Sequence, residues 1–139
     1  MHFDPDNTIV QLCARGMELE ATQPEEAKVL FMQAWSASTR DLEKCIAAHY
    51  LARRQPSAEE KLHWHKIALE FALQINDSHI QLYYPSLYLN IAKCYEDMND
   101  HDNAIINYRN ALSYENNLPA DGYGQMIRSG IRNGIKRVL

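Results

Sequence analysis

The side chains best suited to metal chemistry in this chain are the two histidines of the sequence His63-Trp64-His65. Imidazole nitrogens bind zinc and related metals, usually together with two or more further ligands. Residues two apart on a helix point about 200° apart, so these two imidazoles cannot share one ion. No H-x-x-x-H motif and no cysteine pair supplies further ligands. We therefore predict no metal at this position.

The acidic segment EDMNDHD, residues 96–102, has a superficial likeness to a calcium-binding loop. Such a loop needs a glycine at its sharp turn and a bidentate glutamate at its end. The glycine is missing, and Tyr108 stands where the glutamate would follow. The segment instead predicts the end of one helix and the start of the next, with Asp100 or Asp102 as the N-cap.

The sequence contains no recognisable catalytic motif. Glycine-rich nucleotide-binding loops are missing, and the Gly122-Tyr123-Gly124 sequence does not follow a strand pattern. Nothing local favours a Ser-His or Cys-His nucleophile, although such partners can meet only in the fold. We predict that the protein is not an enzyme and has no cofactor. An enzyme with a site invisible in the sequence is the minor alternative.

Composition favours one all-α domain over residues 1–139. Apolar residues make up 46% and charged residues 23% of the chain, which is ordinary for a globular protein. Five glycines and five prolines are too few for a turn-rich all-β fold. The net charge of −4 argues against nucleic acid as a partner.

The cysteines and the termini indicate a cytoplasmic protein. Cys13, Cys45 and Cys94 are an odd number without C-x-x-C spacing, which is typical of reduced thiols. The N-terminus shows no basic region followed by an apolar run, so no signal peptide is expected. No apolar window is long enough for a transmembrane helix, so no membrane association is expected.

Apolar periodicity predicts two amphipathic helices between Tyr84 and Leu112. Each carries small and large apolar residues on one face at spacings of three and four: Tyr88, Ile91, Ala92 and Tyr95 on the first, and Ala104, Tyr108, Ala111 and Leu112 on the second. The alanines allow the two backbones to approach, and the tyrosines fill the space beside them.

The end of this pattern recurs along the chain. An aromatic or leucine, followed three residues later by alanine and a large apolar residue, occurs at Phe31-Ala34-Trp35, Leu69-Ala72-Leu73 and Tyr108-Ala111-Leu112. Successive alanines of this pattern are 38 and then 39 residues apart. The chain thus resembles the tetratricopeptide repeat family, whose usual period of about 34 residues is shorter. The longer period predicts helices about one turn longer in the second and third pairs.

The resemblance implies an all-α, right-handed superhelical array of three antiparallel helix pairs with a C-terminal capping helix. The expected repeats are residues 7–38, 41–76 and 79–116, and the capping helix is residues 121–139. Asp6 or Asn7 is expected to cap the first helix, Thr22 the second and Ser57 the fourth. Two residues depart from the family pattern: Arg15 replaces a large apolar residue, and His65 replaces a small one.

In the last helix, Gly130 and Gly134 form a G-x-x-x-G motif flanked by charges, which favours close packing on the preceding helix over membrane dimerisation. Its basic residues Arg128, Arg132 and Lys136 lie on one side, at intervals of four. They form either a solvated face or a secondary patch for an acidic peptide or nucleic acid.

In function, the resemblance implies a non-catalytic adaptor or scaffold that binds a peptide segment of a partner in a concave groove. Lys93 and Arg53 favour an acidic peptide. The groove positions carried over from the family are His49, Arg53, Ser86, Leu89, Asn90, Lys93 and Asp97. The alternative is a self-assembling structural repeat protein. A monomer or weak homodimer is expected.

Overall fold

The computed structural model describes residues 4–139, which form seven α-helices, two short 3₁₀ helices and no strand. The all-α prediction is therefore confirmed. Residues 1–3, where the predicted domain begins, lie outside the described residues. The chain divides into two compact units, the first ending at Ile75 and the second formed by Asn76–Leu139. The prediction of a single domain stays a prediction.

The first unit contains two helix pairs joined by short turns. The pairs are α1 (Thr8–Leu19) with α2 (Pro24–Ala37), and α3 (Asp41–Arg53) with α4 (Ala58–Leu73). Phe31 is fully buried between them and stacks on Tyr50, with ring centroids 5.3 Å apart. A β carbon at Gly16 would overlap the Phe31 ring, so this glycine is required for α1 to approach α2.

The second unit contains one helix pair and the last helix. A 3₁₀ helix, Ser78–Leu82, precedes α5 (Tyr84–Asp97) and α6 (His101–Ser113), and another, Glu115–Asn117, precedes α7 (Gly122–Val138). Tyr108 is fully buried at the centre of this unit. The Tyr108 ring packs directly against Gly134 of α7, since a β carbon at this glycine would overlap the ring. The close packing predicted for Gly134 is thus the packing observed.

The long repeat period has two structural origins. Helix α4 has 16 residues, which agrees with the prediction of a longer helix in the second pair. The same prediction is wrong for the third pair, because α5 and α6 have only 14 and 13 residues. The added length there lies in the 3₁₀ helix Ser78–Leu82, which buries Ile80 ahead of α5.

Within residues 4–139, the N-cap side chain accepts a backbone hydrogen bond at the start of four α-helices. Asn7 Oδ1 accepts from the backbone of Ile9 and Val10, and Ser57 Oγ accepts from Glu60, as predicted. Asp100 and Asp121 cap α6 and α7 in the same way. The prediction of Thr22 as the cap of α2 is wrong, because Gln23 occupies the N-cap position directly before Pro24.

Candidate functional site on helix α5

The buried and the accessible residues of helix α5 lie on different sides of the helix. Its buried positions include Tyr84, Leu87, Ile91 and Cys94, which recur at intervals of three and four. The predicted ligand positions fall between them: Ser86, Leu89 and Asn90 are half-buried, and Lys93 and Asp97 are exposed. The five predicted residues of the second unit therefore share one side of one helix.

The polar residues of this surface differ in what they already contact. The Ser86 hydroxyl donates a hydrogen bond of 3.0 Å to the backbone carbonyl of Tyr83, so it is already paired at the start of the helix. Lys93 Nζ lies 2.7 Å from Asp97 Oδ1, and both side chains are about half exposed. The Asn90 carboxamide has no hydrogen-bond partner within residues 4–139. Asn90 therefore offers a free donor and a free acceptor beside an ion pair.

Leu89 has a packing role instead. It contacts both apolar clusters of the second unit, together with Ile135 of α7. A β carbon at Gly130 would lie 3.2 Å from Leu89 Cδ2, which is tighter than ordinary contact. Leu89 thus lies at the contact of α5 with α7.

His49 and Arg53 lie on α3 in the first unit. His49 Nδ1 is buried without a hydrogen-bond partner among the described residues. Burial, with the nearby Arg53 charge, lowers the pKa of His49 to about 4. The Arg53 guanidinium lies 3.0 Å from Glu20 Oε1 and over the Tyr50 ring. The Nδ1 atom of His49 is thus shielded from solvent and Arg53 is already paired, whereas the carboxamide of Asn90 is unpaired.

Most of the basic residues predicted as a patch on α7 form contacts within the second unit. Arg128 donates to the backbone carbonyls of Glu115, Leu118 and Pro119, at 3.0–3.3 Å. Arg132 Nη2 lies 2.8 Å from Glu115 Oε2. Lys136 is exposed. Two of the three side chains of the predicted basic patch are thus held by contacts within the unit.

The remaining sequence candidates carry no site in the described residues. Within residues 4–139, no three His, Cys, Asp or Glu side chains are grouped so that they could hold a metal ion. His63 is exposed against Trp64, while His65 is buried. In this same part of the chain no helix has the length and apolar content needed to cross a bilayer.

Two polar arrangements were missed by sequence reasoning. Glu96 accepts hydrogen bonds from Tyr108 of α6 and Arg137 of α7, and nothing local in the sequence links these positions. The rings of His49 and His65 lie 6.0 Å apart. A signal for this second arrangement existed, because these residues stand seven before and nine after Pro56, similar distances from the turn of an antiparallel helix pair.

Comparison with known protein families gives a match in the second unit. Residues 85–118 match the family model of the tetratricopeptide repeat. The matched range covers nearly all of α5, the whole of α6 and the 3₁₀ helix that follows. It includes Tyr88, Ala92, Ala104 and Tyr108, the small and large residues on which the resemblance rested. No curated protein and no solved structure gives a significant match to the chain.

Proposed function

Because residues 85–118 match the family model of the tetratricopeptide repeat, we propose that the chain belongs to this family and binds a peptide segment of another protein on the exposed side of α5. Tetratricopeptide repeats generally mediate protein–protein interactions and are typically non-enzymatic. The specific proposal is a non-catalytic adaptor whose ligand contacts Asn90, Lys93 and Asp97, with Ser86 at the edge of the contact.

One observation carries this proposal, the unpaired carboxamide of Asn90. An extended peptide presents an N–H donor and a C=O acceptor at each residue, and one carboxamide can satisfy both. Asn90 is half-buried, so a hydrogen bond made there is partly shielded from water. A side chain that only solubilised the helix would gain nothing from this shielding.

The neighbouring ion pair indicates an acidic ligand. Lys93 and Asp97 are one helical turn apart and about half exposed, and such pairs contribute about 0–1 kcal/mol. A ligand carboxylate can therefore compete with Asp97 for Lys93 at little cost. The new contact would be a charge-assisted hydrogen bond, which is stronger than a neutral one.

Selection from a phage-displayed peptide library tests the proposal directly. Immobilised wild-type protein is the bait, and the Asn90→Ala, Lys93→Ala double variant is the counter-selection. We expect enriched peptides to be rich in Asp and Glu. In titration calorimetry, the double variant should bind an enriched peptide about 10- to 100-fold more weakly.

A matched control variant is available on the next helix. Arg109→Ala with Asn110→Ala removes one amide and one cation from exposed positions of α6. It should bind the peptide as tightly as wild type. Equal loss in both variants, or a loss confined to Lys136→Ala, would place the contact elsewhere. A monomer–dimer equilibrium altered by Asn90→Ala in the absence of peptide would favour self-assembly instead.

A further inference from the structure

Two imidazoles, those of the half-buried His49 and the buried His65, lie next to each other in the α3–α4 pair. Their ring centroids are 6.0 Å apart, and His65 is only 7% exposed. The Nδ1 atoms of both rings are shielded from solvent and have no hydrogen-bond partner within residues 4–139. Buried polar atoms are nearly always paired in folded proteins, so two unpaired atoms on adjacent rings stand out.

The charges around this histidine pair are unfavourable to a proton. Arg53 of α3 acts on His49, and Lys61 of α4 acts on His65. At the C-cap of α1, the Glu20 carboxylate lies between Arg53 and Arg54, at 3.0 and 3.2 Å, and is already neutralised by them. Tyr50 packs edge-on against His49, and α2 contributes the apolar Phe31 that stacks on Tyr50. A proton on either ring would thus add a buried cation beside other cations.

Both imidazoles are therefore neutral in the folded protein at neutral pH. Burial is the main cause that lowers the pKa of His49 to about 4 and the pKa of His65 to about 3; the Arg53 charge adds to it at His49, and His49 followed by Lys61 adds to it at His65. In the unfolded chain each has the ordinary value of 6.5. The unfolded state then binds more protons, so stability is fully present above pH 6.5 and falls as the pH drops towards 4.

We propose that the histidine pair is an acid-sensitive latch: α3 and α4 stay packed while both rings are neutral, and they separate on mild acidification. The proton that a ring takes up stays on that ring, which becomes a hydrated imidazolium once the helices separate. The bistable element is the α3–α4 contact in the first unit, and the change that biases it is a charge in its interior.

Tryptophan fluorescence gives a selective readout of the first unit, which contains the α3–α4 pair. The chain has two tryptophans, Trp35 and Trp64, which pack edge to face in the first unit at 5.1 Å. Urea unfolding is followed by this signal at pH 7.5 and at pH 5, in buffers that contain a chelator. We expect the folding equilibrium constant of wild type to fall roughly 10- to 1000-fold between the two, on the order of 30-fold for each histidine that titrates as described.

The decisive variant is His49→Gln with His65→Gln, and its control is His63→Gln with His79→Gln, since both control histidines are exposed. The control should lose as much stability on acidification as wild type, and the decisive variant should lose at least tenfold less. An unchanged loss in the decisive variant would overturn the latch.

A second measurement keeps the proposal testable if the double variant does not fold. In an NMR titration of the wild-type protein, the C2 protons of two histidines should show no titration near pH 6.5 and should broaden or shift only as the fold opens. All histidines titrating near pH 6.5 in the folded protein would contradict the latch. So would amide exchange at pH 5 that rises as much in α5 and α6 as in α3 and α4.

Discussion

The Tyr108 hydroxyl donates a hydrogen bond of 2.6 Å to Glu96 Oε1 and so links the buried centre of α6 to α5. Arg137 of α7 donates to both oxygens of the same carboxylate, at 2.8 and 3.1 Å. One carboxylate therefore joins the three helices of the second unit. The Arg137 guanidinium first, and the Tyr108 hydroxyl with it, lower the pKa of Glu96 to about 2.

Removal of the arginine should loosen α7. We expect Arg137→Ala to lower the free energy of unfolding by about 1–2 kcal/mol, at the lower end for charged hydrogen bonds because the side chain is half exposed. Urea denaturation at neutral pH measures this change. Lys136→Ala, the adjacent exposed position, should change it by about 0.5 kcal/mol or less. Equal effects of the two substitutions would contradict a specific role for Arg137.

The Glu96 carboxylate should make the protein less stable as the pH falls into the acid range. Its folded pKa lies below the ordinary 4.5, so its contribution is present above that value and is lost as the pH falls towards 2. Below pH 4.5, wild type should lose about 1–2 kcal/mol more than Glu96→Gln, because solvent screening reduces the full effect of the pKa difference. Acid titrations monitored by circular dichroism in the far ultraviolet compare the two proteins. Parallel curves would show that Glu96 is not an acid-sensitive group.

Two glycines of α7 provide a matched pair of substitutions. Gly134→Ala would place a methyl group in the Tyr108 ring, whereas Gly122→Ala meets nothing within 4 Å. We expect the first to destabilise the protein by about 1–3 kcal/mol, through forced repacking. The second should be neutral or stabilise by up to about 1 kcal/mol, because alanine favours the helix. Thermal or urea unfolding distinguishes them, and a Gly134→Ala protein as stable as wild type would refute the close packing.

Asn7 is expected to tolerate neither alanine nor aspartate. Its oxygen caps α1, while its Nδ2 donates to Glu43 Oε2 at 2.8 Å and is the largest cause of the lowered Glu43 pKa, about 2. Asn7→Ala should cost about 1 kcal/mol at any pH above 5. Asn7→Asp keeps the cap but opposes two carboxylates. Its cost relative to wild type should therefore shrink from pH 7.5 to pH 5, as one carboxylate takes up a proton. A pH-independent cost in urea unfolding would contradict this.

Local features of the fold were predictable because they depend on residues a few positions apart. Asn7, Ser57 and Asp100 each lie two or three residues before the backbone N–H groups that they cap. The apolar periodicity of Tyr88 to Tyr95 likewise identified the buried side of α5. The 3₁₀ helix Ser78–Leu82 was not predicted, because a five-residue stretch without glycine or proline reads as a continuation of helix or turn.

The candidate site was less predictable because it depends on distant partners. In the sequence, Arg53, Arg128 and Lys93 are equivalent exposed cations. In the structure, Arg53 pairs with Glu20, Arg128 binds three carbonyls, and only Lys93 is held by a weak neighbour on its own helix. Apolar periodicity predicts which face of a helix a side chain lies on. It does not show which residue, distant in sequence, forms an ion pair or hydrogen bond with that side chain.

The packing of the Tyr108 ring against Gly134 also constrains how longer proteins can be engineered from this one. A helix grafted in place of α7 to extend the array must bring a glycine to the ring and an arginine three residues later to Glu96. Candidate helices can thus be screened by the four-residue pattern G-x-x-R before any is built. A donor helix without this pattern would leave the tyrosine hydroxyl and its carboxylate without the guanidinium that completes their contact.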